Sequence, residues 1–142
     1  MRSGMVAIAL AVPLSLLSCG SATAGSGGEI AAEPGKVFTL ASGDTARLTG
    51  AELTVTLTGV GQDSRCPTGV QCVWEGDAVV KVRVTAGTAP PADHELHTSG
   101  RFETAITVAG HELRLVDLKP YPRSGAAPSA DRYRADFTLT PR

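Results

Sequence analysis

Residues 78–85 read AVVKVRVT, and their alternation decides the fold class. Alanine or valine occupies positions 78, 80, 82 and 84, while Lys81 and Arg83 fall between them. In a β-strand successive side chains point to opposite faces, so this order gives one apolar face and one partly charged face. Valine-rich alternation with a period of two predicts a strand that covers a core on one side.

The same period of two recurs along the chain. The clearest further runs are 53–57, 102–108 and 133–139, and shorter candidates are 37–40, 46–48, 94–98 and 112–118. Gly, Ser, Pro and Asp are frequent between these runs, which is typical of turns. No stretch shows a helical period. We therefore predict seven or eight antiparallel strands in a β-sandwich covering residues 36–142, with a small closed β-barrel as the alternative.

The first twenty residues, MRSGMVAIALAVPLSLLSCG, have the composition of an export signal. Arg2 precedes an apolar run that is too short to span a bilayer. The run ends in Leu-Leu-Ser before Cys19, which resembles the lipobox of bacterial lipoproteins. This predicts a signal peptide at 1–18, cleavage before Cys19 and attachment of lipid to that cysteine. The alternative is an ordinary secretory signal with an incidental Cys.

Residues 19–35 are rich in Gly, Ser and Ala and predict a flexible tether behind the anchor. The protein would then be exported and held by Cys19 at the outer face of the cytoplasmic membrane or in the cell envelope. Two acyl chains or more on one residue are enough for stable attachment, whereas a single chain holds only marginally.

Of the three cysteines, lipidation of the first leaves Cys66 and Cys72, which we expect to form a disulfide in an oxidising compartment. They lie in the segment 63–77, DSRCPTGVQCVWEGD, which also holds the only tryptophan, Trp74. We expect Trp74 to pack over the end of the sandwich or against the disulfide, and Gly76 to allow a left-handed residue or a bulge.

The segment 63–77 resembles a signature, D-S-R-C-P…C-x-W-x-G, of small exported bacterial lipoproteins of unassigned function. Residues 115–133, with their Pro-Tyr-Pro at 120–122 and the later Tyr133, are similar too. The resemblance implies a lipid-anchored envelope protein. It implies no activity and no functional residue.

Composition and the motifs present restrict the classes of function that this sequence can have. The net charge of -1 argues against nucleic acid as a partner. No nucleophile motif, zinc-protease motif or phosphate loop occurs, so we expect a protein that is not an enzyme and needs no cofactor. We predict a non-enzymatic binding or structural β-domain, with an envelope protein or a small molecule as its ligand and an undetermined oligomeric state.

Two alternatives remain open at this point. On a strand at 94–98, the side chains of Asp93, Glu95 and His97 share one face, and His111 from a neighbouring strand could complete a metal or hydrolytic site there. The more ordinary interpretation is a solvated polar face.

The second alternative concerns Arg65, which sits beside the disulfide and could be presented to a partner as in a protease-inhibitor loop. Pairing of Arg65 with Asp63 or another carboxylate is the simpler expectation. Trp74 is a further candidate for binding. So are Tyr121 and Arg123 in the long loop 119–131, because Trp, Tyr and Arg are enriched at binding hot spots.

Overall fold

The run at 78–85 forms the fourth strand in spatial order of a five-stranded sheet, in a computed structural model that describes residues 27–124 and 126–142. The described residues contain nine strands and one short 3-10 helix, Ala130–Arg132. The strands are β1 Glu29–Ala32, β2 Val37–Ala41, β3 Thr45–Leu48, β4 Leu53–Gly61, β5 Val79–Ala86, β6 Ala92–His97, β7 Ala105–Val108, β8 His111–Lys119 and β9 Arg134–Pro141. No described helix has the length and apolar character needed to cross a membrane.

The strands form two sheets, in the spatial orders β1-β3-β4-β5-β6 and β2-β9-β8-β7. Every pair is antiparallel except β1 with β3, which run parallel. Each sheet keeps two free edges, so the predicted sandwich is confirmed and the closed-barrel alternative is wrong. The segment 98–104 carries the chain from the first sheet to the second.

The core lies between the inward faces of the sheets. On β5 the side chains of Val80 and Val82 are fully buried, as the alternation predicted, while Lys81 and Arg83 point to solvent. In the second sheet Phe137 is fully buried and its ring lies 5.8 Å from that of Phe38. Such burial of apolar area is the main favourable contribution to folding.

Two sequence predictions need correction here. The run at 102–108 begins later as a strand, at Ala105, because residues 99–102 form a turn in which the amide of Phe102 donates to the carbonyl of Ser99 at 3.1 Å. The predicted tether ends too late, because β1 lies within it and pairs with β3. The side chain of Ala32 is fully buried, so the folded domain begins near Glu29 rather than at residue 36. The predicted signal peptide and Cys19 lie outside the described residues.

Strand register places three long connections at one end of the sandwich: 62–78 between β4 and β5, 98–104 between β6 and β7, and 120–133 between β8 and β9. We call these three segments the loop end. The tight turn 42–44 between β2 and β3 lies at the same end, because Ala41 pairs with Arg134 at the start of β9. The segments 33–36, 49–52, 87–91 and 109–110 lie at the opposite end.

Candidate functional site

An ion pair of Asp63 and Arg65 lies buried in the segment 62–78. The guanidinium donates from Nε to Oδ1 at 2.8 Å and from Nη2 to Oδ2 at 2.7 Å, and the side chains are 4% and 8% exposed. Arg65 also donates from Nη1 to the carbonyl of Leu118 at 2.6 Å and from Nη2 to that of Pro120 at 2.8 Å. Arg65 therefore fastens the segment 62–78 to the end of β8.

The pairing of Arg65 with Asp63 confirms the simpler expectation from the sequence. The protease-inhibitor alternative needs Arg65 presented at the surface, whereas its guanidinium is 8% exposed and makes four hydrogen bonds within the domain. The D-S-R part of the motif thus has a structural role.

Tyr133 completes this buried network by donating its hydroxyl to Oδ2 of Asp63 at 2.8 Å. Burial, together with the hydrogen bond to the carboxylate, raises the pKa of Tyr133 to about 12. Burial alone would raise the pKa of Asp63, but hydrogen bonds from Arg65 and Tyr133 outweigh it and lower that pKa. Asp63 is therefore ionised and Tyr133 protonated at neutral pH.

The predicted disulfide is confirmed. Cys66 and Cys72 are joined, with their Cα atoms 5.9 Å apart. Gly76 has a φ of +75°, and a Cβ atom there would lie 2.0 Å from the carbonyl oxygen of Ser64. Only glycine fits where these two backbones cross, so the expected left-handed residue is also confirmed.

A second buried network surrounds Asp77, which is 8% exposed. Its Oδ2 lies 2.6 Å from Nδ1 of His97, and its Oδ1 accepts from the amide of Ser99 at 2.9 Å and the hydroxyl of Thr98 at 3.3 Å. Burial opposes ionisation, but the hydrogen bonds from His97 and Ser99 prevail and lower the pKa of Asp77. Because an ionised carboxylate only accepts, Nδ1 of His97 carries the proton.

These contacts also join the loops to one another. The hydroxyl of Ser99, which is 1% exposed, donates to Oε1 of Glu75 at 2.5 Å and so connects segments 98–104 and 62–78. The amide of Thr68 donates to the carbonyl of Pro122 at 2.9 Å and connects segments 62–78 and 120–133. Hydrogen bonds therefore connect segment 62–78 to both of the other long loops.

The residues of the predicted metal site do not come together. Asp93 is held by Arg83, with Nε 2.8 Å from Oδ1, and His97 is turned to Asp77. His111 begins β8 in the other sheet, whereas β6 is an edge strand whose only sheet neighbour is β5. Within residues 27–124 and 126–142 no three His, Cys, Asp or Glu side chains are placed to hold a metal ion. The prediction that His111 lies beside His97 is wrong.

Exposed apolar side chains concentrate at the loop end. Among the described residues seven large hydrophobic side chains are exposed, and six of them are on the three loops or the adjoining part of β8: Val70, Val73, Trp74, Phe102, Val116 and Tyr121. The seventh, Val37, starts β2 at the opposite end. Val73 is fully exposed. Contiguous exposed apolar patches are typical of interaction sites, so the loop end is the candidate surface.

The aromatic side chains are held in place by neighbouring groups. The guanidinium of Arg101 lies 5.6 Å from the ring centroid of Trp74, which is 42% exposed at the surface of the loop end. The ring of Phe102 lies 5.0 Å from that of His97. Tyr121 donates its hydroxyl to Oδ1 of Asp117 at 2.7 Å.

A cleft separates segment 62–78 from the end of β8. Its volume is about 330 Å³ and its lining includes Cys66, Glu75, Val116, Asp117 and Tyr121. Of the candidates named from the sequence, Trp74, Tyr121 and Arg123 all reach solvent at the loop end. Their role in binding stays a prediction.

The sequence did not reveal Asp77 and Tyr133 as members of the networks that hold the loops together. Both have side-chain partners distant in the chain, His97 and Asp63, so no local pattern marks them. No protein-family model matches the chain, and neither curated proteins nor solved structures match it.

Proposed function

We propose that this protein is a lipid-anchored protein of the cell envelope whose β-sandwich is a non-enzymatic binding module, with the loop end as its binding surface. The observation that carries the binding role is the gathering of six exposed large hydrophobic side chains at one end. A surface of this kind binds by burying apolar area and needs no catalytic group.

The two buried networks support a binding role for the loop end. The Asp63–Arg65 pair and the Asp77–His97 pair, together with the disulfide, hold the loops in one conformation. Loops that are already ordered lose little conformational entropy when they bind, and this saving strengthens binding. The same rigidity also serves a purely structural role, and the exposed apolar side chains favour binding.

The anchor is proposed from the sequence alone. Leu-Leu-Ser precedes Cys19 at the end of a signal-like segment, and lipidation of Cys19 leaves the even pair of cysteines that forms the disulfide. Cys19→Ala should abolish lipid labelling and release the protein from membranes. Unchanged membrane partitioning of the variant would contradict the anchor.

A photo-crosslinking amino acid tests the binding surface in cells. Placed at position 73, at the tip of the loop end, it should give adducts after irradiation. Placed at position 37, it should give few, because Val37 is equally apolar and also exposed but lies at the opposite end. Equal yields at both positions would contradict the assignment of the loop end as the binding surface.

A further inference from the structure

We infer that the occupant of the loop end is the lipid surface itself: Val73 and the ring of Trp74 lie in the interfacial region of the membrane that holds the lipid on Cys19. This inference rests on the proposed anchor. The inference goes beyond the anchor by assigning the domain a fixed orientation, with the loop end towards the lipid and the opposite end away from the lipid.

The first argument is the place where the chain leaves the domain. The amide of Gly28 donates to Oδ1 of Asp44 at 2.8 Å, and the amide of Thr45 donates to the carbonyl of Gly28 at 2.8 Å. Both contacts lie at or beside the turn 42–44, which is at the loop end. The chain towards Cys19 therefore departs from the end that carries the exposed apolar side chains.

The second argument is the short distance to the anchor. Gly27 follows Cys19 by eight positions, so even a fully extended chain separates them by at most about 28 Å. The nine residues of β4 span about 30 Å, so the opposite end of the sandwich stands a further strand length away. The chain thus keeps the loop end within about 28 Å of the anchor, whereas the opposite end can lie farther away by about one strand length.

The third argument is the chemistry of the tip. Residues 67–74, PTGVQCVW, contain no charged side chain, and Val73 is fully exposed beside Trp74. Tryptophan favours the membrane interface, where the ring is in apolar surroundings and the indole N–H stays near water. The guanidinium of Arg101 lies over that ring, in reach of lipid phosphates, and its apolar stem can follow the ring into the interface.

Three acidic side chains lie in segment 62–78. Asp63 and Asp77 are buried and held by Arg65 and His97, whereas Glu75 is exposed next to Trp74, with its Oε1 accepting from the hydroxyl of Ser99. An exposed carboxylate beside the tip is not attracted to anionic lipid. Contact therefore depends on apolar insertion rather than on attraction to anionic lipid, and we expect it on uncharged vesicles and at high salt. A protein partner is the competing occupant.

Trp74 supplies the test, because it is the only tryptophan in the chain. The mature lipidated protein is reconstituted into phosphatidylcholine vesicles with and without bromine atoms on the acyl chains. Bromine quenches tryptophan at short range, so the emission of Trp74 should fall by more than half in the brominated vesicles. Val73→Asp should restore most of the emission, whereas Val37→Asp, the same change at the opposite end, should leave the quenching as it was.

The possible outcomes distinguish failure of the inference from failure of the proposed anchor. Mass spectrometry of the N-terminal peptide shows whether Cys19 carries lipid, and an unmodified Cys19 would overturn the anchor and the inference together. Lipidated protein whose Trp74 is not quenched would overturn the inference alone, as would equal quenching in the two aspartate variants. Crosslinks from position 73 to a protein, without quenching in lipid vesicles, would identify a protein as the occupant instead.

Discussion

Replacing Arg65 by alanine should lower the free energy of unfolding by about 3 kcal/mol. The change removes two hydrogen bonds to Asp63 and two to the carbonyls of Leu118 and Pro120. It leaves the carboxylate of Asp63, which is 4% exposed, with Tyr133 as its remaining side-chain partner. Loss of one member of a buried pair costs about 3–5 kcal/mol, and we expect the lower value because the cleft beside Arg65 lets water reach the vacated space.

Urea denaturation followed by far-ultraviolet circular dichroism measures this effect, and Arg83→Ala is the matched control. Arg83 holds Asp93 with an Nε–Oδ1 distance of 2.8 Å, the same as in the buried pair, but its side chain is 53% exposed. Exposed pairs contribute little, so the control should shift the midpoint far less. Equal shifts from the two variants would show that burial of the Asp63–Arg65 pair is not what stabilises the loops.

Three further predictions follow from the same structure. Phe137→Ala should lower the free energy of unfolding by about 3–5 kcal/mol because the ring is fully buried. Asp136→Ala should lower it by about 1 kcal/mol because the hydrogen bond from Thr39 is lost. Urea denaturation measures both changes. Because folding lowers the pKa of Asp63, the ionised carboxylate stabilises the folded state fully above its ordinary pKa of 3.8. This contribution is lost as the pH falls through the pKa in the folded state. Asp63→Asn should remove this part of the pH dependence of stability. In a spectroscopic titration Tyr133 should ionise at about pH 12, and Tyr133→Phe should remove that step.

Period-two alternation was enough to predict the sandwich and most of its strands. At β5 the buried Val80, Val82 and Val84 and the exposed Lys81 and Arg83 follow directly from the order of residues, because side chains of a strand alternate between faces. The disulfide followed from counting cysteines. These features depend on local order or on composition, which a sequence displays.

Features that depend on distant partners were not predicted. β1 has only four residues, EIAA, within a segment of tether-like composition, and it is ordered by pairing with β3 rather than by its own sequence. Strand period groups His97 with Asp93 and Glu95, yet its partner Asp77 lies on segment 62–78, which precedes β5 rather than β6. The apolar character of the loop end arises from three separate segments, so no single stretch revealed it.

The parallel pairing of β1 with β3 has a mechanical consequence under the proposed anchoring at Cys19. A pull on Gly27 directed away from the loop end acts along the axis of β1, so it loads the four paired positions from Glu29 to Ala32 in shear, all at once. A hairpin strand pulled at right angles to its axis would instead open one hydrogen bond after another. The hydrogen bonds between β1 and β3 therefore share a force applied along the strand axis, and β1 detaches only when they break together.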